Sequence, residues 1–146
     1  MGGASPEHPE WLQRLHRARE GLVPWIEETA PLAGRTVLEY GCGQGVSACA
    51  VAPRAARHIG VDIAAGEVAM ARQHIARRGL ANVELLAVPE GEVLDRVAAY
   101  QGAIDVFLLY AVLEHMTLDE RLAACDWRVR PSARTGTSWC ARPRTG

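Results

Sequence analysis

Apolar positions along the chain follow two regimes. From Trp11 to Ile26 they recur at every third or fourth residue, through Trp11, Leu15, Ala18, Leu22 and Trp25 or Ile26. After Arg35 they form short unbroken runs separated by stretches of helical period. The first regime predicts an N-terminal amphipathic helix. Ser5-Pro6-Glu7 can open it, with Ser as the cap and Pro at the first helical position. Pro24 kinks or restarts it. Packing on a sheet edge is the expected role of this helix, in preference to covering a ligand pocket, and Pro31 to Arg35 reads as a loop.

The second regime predicts four strands: Val37 into Tyr40, His58 to Asp62, Val83 to Val88, and Ile104 to Tyr110. Between them lie helices from Val46 to just before Pro53, from Gly66 to Arg78, and from Glu92 to Tyr100. In the second of these Val68, Met70 or Ala71, and Ile75 point inward, and Gly79 ends the helix. In the third, Val93, Val97 and Tyr100 point inward. Thr117-Leu118-Asp119-Glu120 is a capping box that opens one more helix. Continuous apolar strands joined by helices imply a parallel sheet covered on both faces. The expected fold class is therefore α/β, a doubly wound parallel sheet of about four strands. It divides into an N-terminal helical segment over 1–35, a sheet domain over 36–123 and an irregular tail over 124–146.

Chemistry concentrates where the first strand ends. In VLEYGCGQG, residues 37 to 45, glycine occupies positions 41, 43 and 45, so a buried strand runs into a turn that side chains have vacated. Such a turn lets a ligand approach the backbone, and the following VSACAVA stretch can begin a helix whose free N–H groups face the same ligand. Asp62 falls 17 residues beyond Gly45. In a βαβ unit that spacing sets a carboxylate at the carboxyl end of the second strand, beside the glycine turn, where it can accept from both hydroxyls of a ribose. Asp62 can equally cap the next helix, and both roles can hold. A nucleoside-bearing cofactor is the ligand this arrangement suits.

Composition narrows the picture further. The chain of 146 residues is large enough for one core, with 49% hydrophobic and 23% charged residues. A formal net charge of −1 gives no reason to expect a nucleic-acid or membrane surface. No apolar run reaches the ~18 residues of a membrane span, and MGGASPEHPEW lacks the regions of a signal peptide, so a cytoplasmic location is expected. Cys42, Cys49, Cys125 and Cys140 form no CxxC pair and have no histidines at zinc-ligand spacing, so buried or free thiols and no metal are expected. All 16 basic residues are Arg, which suggests a GC-rich coding sequence.

Four segments in order, VLEYGCGQG, IGVDIAAGEVAMAR, NVELLAV and IDVFLLYAVLEHM, resemble the class I S-adenosylmethionine-dependent methyltransferases over roughly Thr36 to Leu122. The acidic residue two positions before the first glycine, the GxGxG spacing and the VLEH segment carry the resemblance. It implies an incomplete Rossmann-like domain that binds S-adenosyl-L-methionine and transfers its methyl group to an acceptor. It further implies that Gly41, Gly43 and Gly45 pass under the methionine and ribose portion, and that Glu39 helps to place the amino group. Asp62 would hold the ribose diol, Ile63 would lie against the adenine, and Tyr110 would flank the methionine moiety and the transferable methyl. Tyr110 also reads as a core residue at a strand end. Many relatives carry an Asp after the third strand that bonds the adenine amino group. Here the sequence is AVPEG, with Pro89 in that place and Glu90 as a substitute, so the position stays unassigned. Glu114 and His115 lie near the same sheet edge and read as a loop or helix-start contact rather than as catalytic groups.

The tail from about Cys125 has no helical or strand period and mixes Trp and Cys with Arg, Thr, Ser and Pro. It reads either as a basic tail or as the result of a reading-frame shift near Ala123 or Ala124. Trp codons force Val into the alternative frame across Trp139 and Cys140, and that frame can encode an amphipathic helix, a turn and an apolar strand. The frame shift is the expectation, and with it a truncated chain with an open sheet edge, marginal folding and little turnover. A small-molecule acceptor is favoured because the sheet domain carries no basic patch. The alternatives are a non-catalytic methyltransferase-like binding protein and, less well matched by the glycine spacing, an NAD-dependent dehydrogenase.

Overall fold

The computed structural model describes residues 7–127, 129 and 130. Helix α1 spans Pro9–Arg17, with Pro9 at its start and the His8 ring accepting from the Glu10 N–H at 3.3 Å. The helix thus opens later than Ser5-Pro6-Glu7 suggests, and Ser5 and Pro6 lie outside the described residues. A π-helical turn over Ala18–Leu22 joins α1 to α2, Val23–Thr29, which carries Pro24 in its first turn. Proline has no N–H and its ring crowds the carbonyl four residues back, so the expected kink takes the form of this wider turn. Trp11, Leu15, Ala18, Leu22 and Ile26 are all buried, as their period requires. The segment packs on helix α3, Val46–Val51, rather than on a sheet edge.

Four parallel strands follow: β1 Thr36–Tyr40, β2 Arg57–Asp62, β3 Val83–Ala87 and β4 Val106–Leu108, in the order β3-β2-β1-β4. Alternation along the strands splits the interior into two cores. Val37, Leu85 and Leu108 face α1, α2, α3 and α4 (Ala65–Arg77), while Leu38, Ile59, Val61 and Phe107 face α5 (Val93–Val97) and α6 (Leu118–Cys125). This is the expected doubly wound α/β sheet, with helices on both faces and four strands. In α4 the inward position is Ala71, fully buried, while Met70 is exposed. Helix α5 ends at Val97, and a 3-10 turn carries the chain to Tyr100, which is half-buried. Thr117 and Glu120 form the predicted capping box at the start of α6.

Strand β4 is shorter than its apolar run. It ends at Leu108, and Ala111 adopts a φ of 54° that no extended strand tolerates, so the chain leaves the sheet before Tyr110. Among the described residues β4 pairs with β1 alone, so its other side is a sheet edge. Packing continues beyond residue 123: Ala124 and Trp127 are buried, and the Trp127 ring lies 4.8 Å from that of Phe107. The Arg130 N–H donates to the Ile104 carbonyl at 2.6 Å. Arg128 and residues 131–146 lie outside the described residues, and with them most of the basic tail and of the stretch on which the reading-frame expectation rests.

One ion-pair cluster fastens the N-terminal segment to α4. The Arg78 guanidinium donates to both Glu7 oxygens at 2.6 and 2.9 Å, the His74 ring meets Glu7 Oε1 at 2.7 Å, and Trp11 stacks on His74 with ring centroids 3.8 Å apart. Above all the Arg78 hydrogen bond, helped by His74 and opposed by burial, holds the Glu7 carboxyl at about 2, down from 4.5. A depressed carboxyl contributes stability above its unfolded value and loses it as pH falls through the folded one. The difference in Tm between the native chain and Glu7→Gln is therefore expected to be constant above pH 5 and to vanish as pH falls from 4.5 towards 2. Solvent screening leaves about 1–2 kcal/mol to be read in this way. A difference that stays level down to pH 2.5 in a thermal-melt series contradicts the assignment.

Candidate functional site

The site forms where β1 and β2 end side by side. Beyond Tyr40 the chain bends so that the N–H groups of Gly41 and Cys42 both donate to the Val61 carbonyl, at 2.7 and 3.0 Å. A turn closes from the Gly45 N–H to the Cys42 carbonyl at 3.0 Å, and the Cys49 N–H donates to the Gly45 carbonyl at 2.9 Å as α3 begins. Gly41, Gly43 and Gly45 have φ of 83°, 49° and 80°, a region where side chains are strained. Their surroundings differ. A Cβ on Gly45 would meet the Ala71 Cβ at 3.0 Å, and one on Gly41 would meet Val112 at 2.8 Å, whereas one on Gly43 would meet nothing within 4 Å. Two of the glycines thus permit packing, and the third borders open space.

Asp62 closes the site from β2. Its Oδ2 accepts from the Gly43 N–H at 2.8 Å and its Oδ1 from the Ala64 N–H at 2.9 Å. The carboxylate therefore orders the turn into α4, as the capping reading of its position suggests, and it also holds the glycine loop. A carboxylate offers about four lone-pair positions, so each oxygen keeps capacity for another donor. Ile63 beside it is 50% exposed, which leaves an apolar surface open at the end of β2. Tyr110 is 41% exposed and lies past the end of β4, so it is not the core residue that one sequence reading allowed. After β3, the Val88 N–H donates to the Asp62 carbonyl at 3.0 Å and Pro89 starts a turn to Glu92, with Glu90 exposed.

Glu39 sits differently from the other predicted residues. It is 2% exposed, and its Oε1 lies 3.2 Å from Nε2 of His58, itself fully buried. Sequence reading missed His58. The available signal was an ionisable residue in an otherwise apolar strand, on the face of β2 that the alternation shares with residue 39. Tyr40 was also missed: burial pushes its phenol up, and the Glu120 and Asp62 carboxylates add to the effect. From the helical layer, Trp11 Nε1–H donates to the Gln44 carbonyl at 3.3 Å, so α1 steadies the glycine loop directly.

The remaining candidates take no part in this cluster. Burial pushes the Cys42 thiol well up and that of Cys49 to about 11, so both stay protonated and unreactive. Glu114 and His115 lie on a 3-10 turn with side chains 56% and 78% exposed. Among the described residues no group of three or more His, Cys, Asp and Glu could hold a metal ion, and no helix is long and apolar enough to cross a membrane.

Comparison with known proteins agrees with this geometry. Residues 37–131 match the family model described as a methyltransferase domain. The ubiquinone biosynthesis O-methyltransferase of Acinetobacter baumannii (strain AYE) is 32% identical over 127 residues, which cover 86% of this chain and 52% of that protein. That of Thiobacillus denitrificans is 34% identical over 119 residues, 80% of this chain and 49% of that protein. The chain thus spans about half the length of the curated relatives it matches. In fold it is similar to a SAM-dependent methyltransferase from Aquifex aeolicus, with a TM-score of 0.62 and 18% identity over 86% of this chain and 69% of that one. It is similar also to the magnesium protoporphyrin IX methyltransferase of Synechocystis PCC 6803 with bound SAM, with a TM-score of 0.57 and 23% identity over 84% and 58% of the two chains. The family match covers most of the sheet together with the glycine loop and Asp62, and it places this chain in the class I S-adenosylmethionine-dependent methyltransferase family.

Proposed function

We propose that this chain carries the cofactor half of an enzyme that transfers a methyl group from S-adenosyl-L-methionine to a small molecule. The observation that carries the reading is the bond from the Gly43 N–H to Asp62 Oδ2 at 2.8 Å, which joins the ends of β1 and β2 beside the open space at Gly43. A ligand seated there rests on the glycine backbone and meets the free lone pairs of Asp62. In this reading Asp62 accepts from the ribose hydroxyls, Ile63 covers one face of the adenine, and Gly41, Gly43 and Gly45 pass under the methionine and ribose. Glu39 faces the amino group and Tyr110 flanks the methyl. When bound, the cofactor supplies a sulfonium methyl already activated for transfer, so the protein's share is to align an acceptor and exclude water.

The relatives' names support an oxygen of a small molecule as the acceptor atom, and a cytoplasmic location accords with such a substrate. A start of the sheet domain at residue 36 belongs to the same proposal, while its packing runs past residue 123 to Ala124 and Trp127. Thermal melts test the reading: S-adenosylhomocysteine at a hundred times its Kd stabilises the folded state by about 2.7 kcal/mol, while NAD at the same concentration leaves Tm unchanged. Equal stabilisation by the two, or by NAD alone, defeats it.

A further inference from the structure

Among the described residues His58 is a buried imidazole that the reading above leaves without a task. It is the second residue of β2, followed by the buried Ile59, Gly60 and Val61, and it is fully buried. Among the described residues its side-chain partner is Glu39, at 3.2 Å through Nε2, and its Nδ1 has no hydrogen-bond partner. Burying an imidazole with one nitrogen unsatisfied costs free energy, and an apolar residue at position 58 would pack without that cost. The residue therefore earns its place through the bond that it does make.

The register explains the geometry. Val37 lies opposite His58 and Glu39 opposite Gly60, so residues 39 and 58 share one face of the sheet on adjacent strands. Gly60 has no side chain, and a Cβ there would meet Cys42 at 2.8 Å and Leu85 at 2.9 Å. The space opposite Glu39 is thus closed by neighbours, and the Glu39 side chain finds its donor one step back, at His58. With Glu39 as acceptor, the bond takes its proton from Nε2, and Nδ1 is left unpaired. Glu39 is also the last inward residue before the glycine loop. A carboxylate tethered at Oε1 has one orientation in which to present its other oxygen.

We propose that His58 is a positioning residue of the cofactor site: it holds the Glu39 carboxylate in the orientation that receives the amino group of S-adenosylmethionine. The proposal rests on the reading of Glu39 given above. Two probes separate positioning from a merely structural role. S-adenosylhomocysteine contains the amino-acid portion, and 5′-methylthioadenosine contains the same nucleoside without it.

Titration calorimetry on the full chain with both ligands gives the test. In His58→Leu, which keeps the volume and removes the donor, S-adenosylhomocysteine is expected to bind about tenfold more weakly, equivalent to ~1.4 kcal/mol. The Kd for 5′-methylthioadenosine stays within about twofold of the native value. His58→Gln, whose amide can donate near the position of Nε2, recovers most of the loss, and Glu39→Gln reproduces the pattern of His58→Leu. Equal weakening of both ligands, or unchanged S-adenosylhomocysteine affinity in His58→Leu, overturns the proposal while leaving the cofactor reading intact. A native chain that binds neither ligand overturns both. If His58→Leu fails to fold, the ratio of the two Kd values in His58→Gln and Glu39→Gln decides between the same outcomes.

Discussion

Asp62→Ala is expected to abolish measurable cofactor binding while leaving the chain folded. The substitution removes the acceptor proposed for both ribose hydroxyls, and each hydrogen bond to a charged group contributes about 1.5–3 kcal/mol. Two such bonds amount to at least ~3 kcal/mol, a loss of more than about a hundredfold in affinity. The same change frees the Gly43 and Ala64 N–H groups, which now donate to Asp62 at 2.8 and 2.9 Å. Both lie at the partly exposed rim, where water can replace the lost acceptor, so the cost to folding is expected to stay near 1 kcal/mol. The nucleoside probe distinguishes this residue from His58, because 5′-methylthioadenosine retains the ribose and should weaken as much as S-adenosylhomocysteine. Calorimetry that shows less than a fivefold change for either ligand removes Asp62 from the site.

Gly45→Val is expected to act in the opposite way, on stability first. Gly45 has a φ of 80°, and its missing Cβ leaves room for α4 to approach until the Ala71 Cα would be 3.2 Å away. A β-branched residue there incurs backbone strain of about 1–3 kcal/mol and overpacking of a similar size, because one of the atoms it meets is main chain and cannot rotate away. The combined loss of about 3 kcal/mol is a large share of a typical domain stability of roughly 5–15 kcal/mol and should lower Tm by about 10 °C. Gly43→Ala is the matched comparison. Its Cβ meets nothing within 4 Å, so only the strain of a left-handed alanine, about 1 kcal/mol, lowers its Tm, by a few degrees, yet it should bind the cofactor poorly, because the methyl occupies the open space beside Asp62. Equal melting losses in the two variants, measured by calorimetry or circular dichroism, contradict the distinction drawn between the glycines.

These predictions turn on contacts that were legible to different degrees. The glycine loop and Asp62 could be read from the chain because each depends on local chemistry: glycines vacate a turn, and a βαβ unit returns its second strand a set distance later. Of the readings of Asp62, the one that tied it to the start of α4 meets its contact at the Ala64 N–H, while the bond from the Gly43 N–H is one that the sequence did not offer. The bond from Trp11 to Gln44 was not legible. The period of α1 shows which of its faces is apolar but not which neighbour covers that face, and the observed neighbour is α3 rather than a sheet edge. The end of β4 was misjudged for a similar reason. IDVFLLY is apolar throughout, but a left-handed Ala111 turns the chain away, and Tyr110 emerges 41% exposed.

By itself, then, the sequence determined the parallel α/β architecture, the doubly wound layering, the capping box of α6 and the place of the glycine loop. Each follows from periodicity or from the stereochemistry of a few adjacent residues. Only the tertiary structure decided that Glu39 meets His58, that Gly43 borders open space while Gly45 is packed against Ala71, and that Trp127 joins the second core. Strand register and helix docking settle those contacts. They are set by how whole surfaces fit across the sheet, and no short window of residues carries that information.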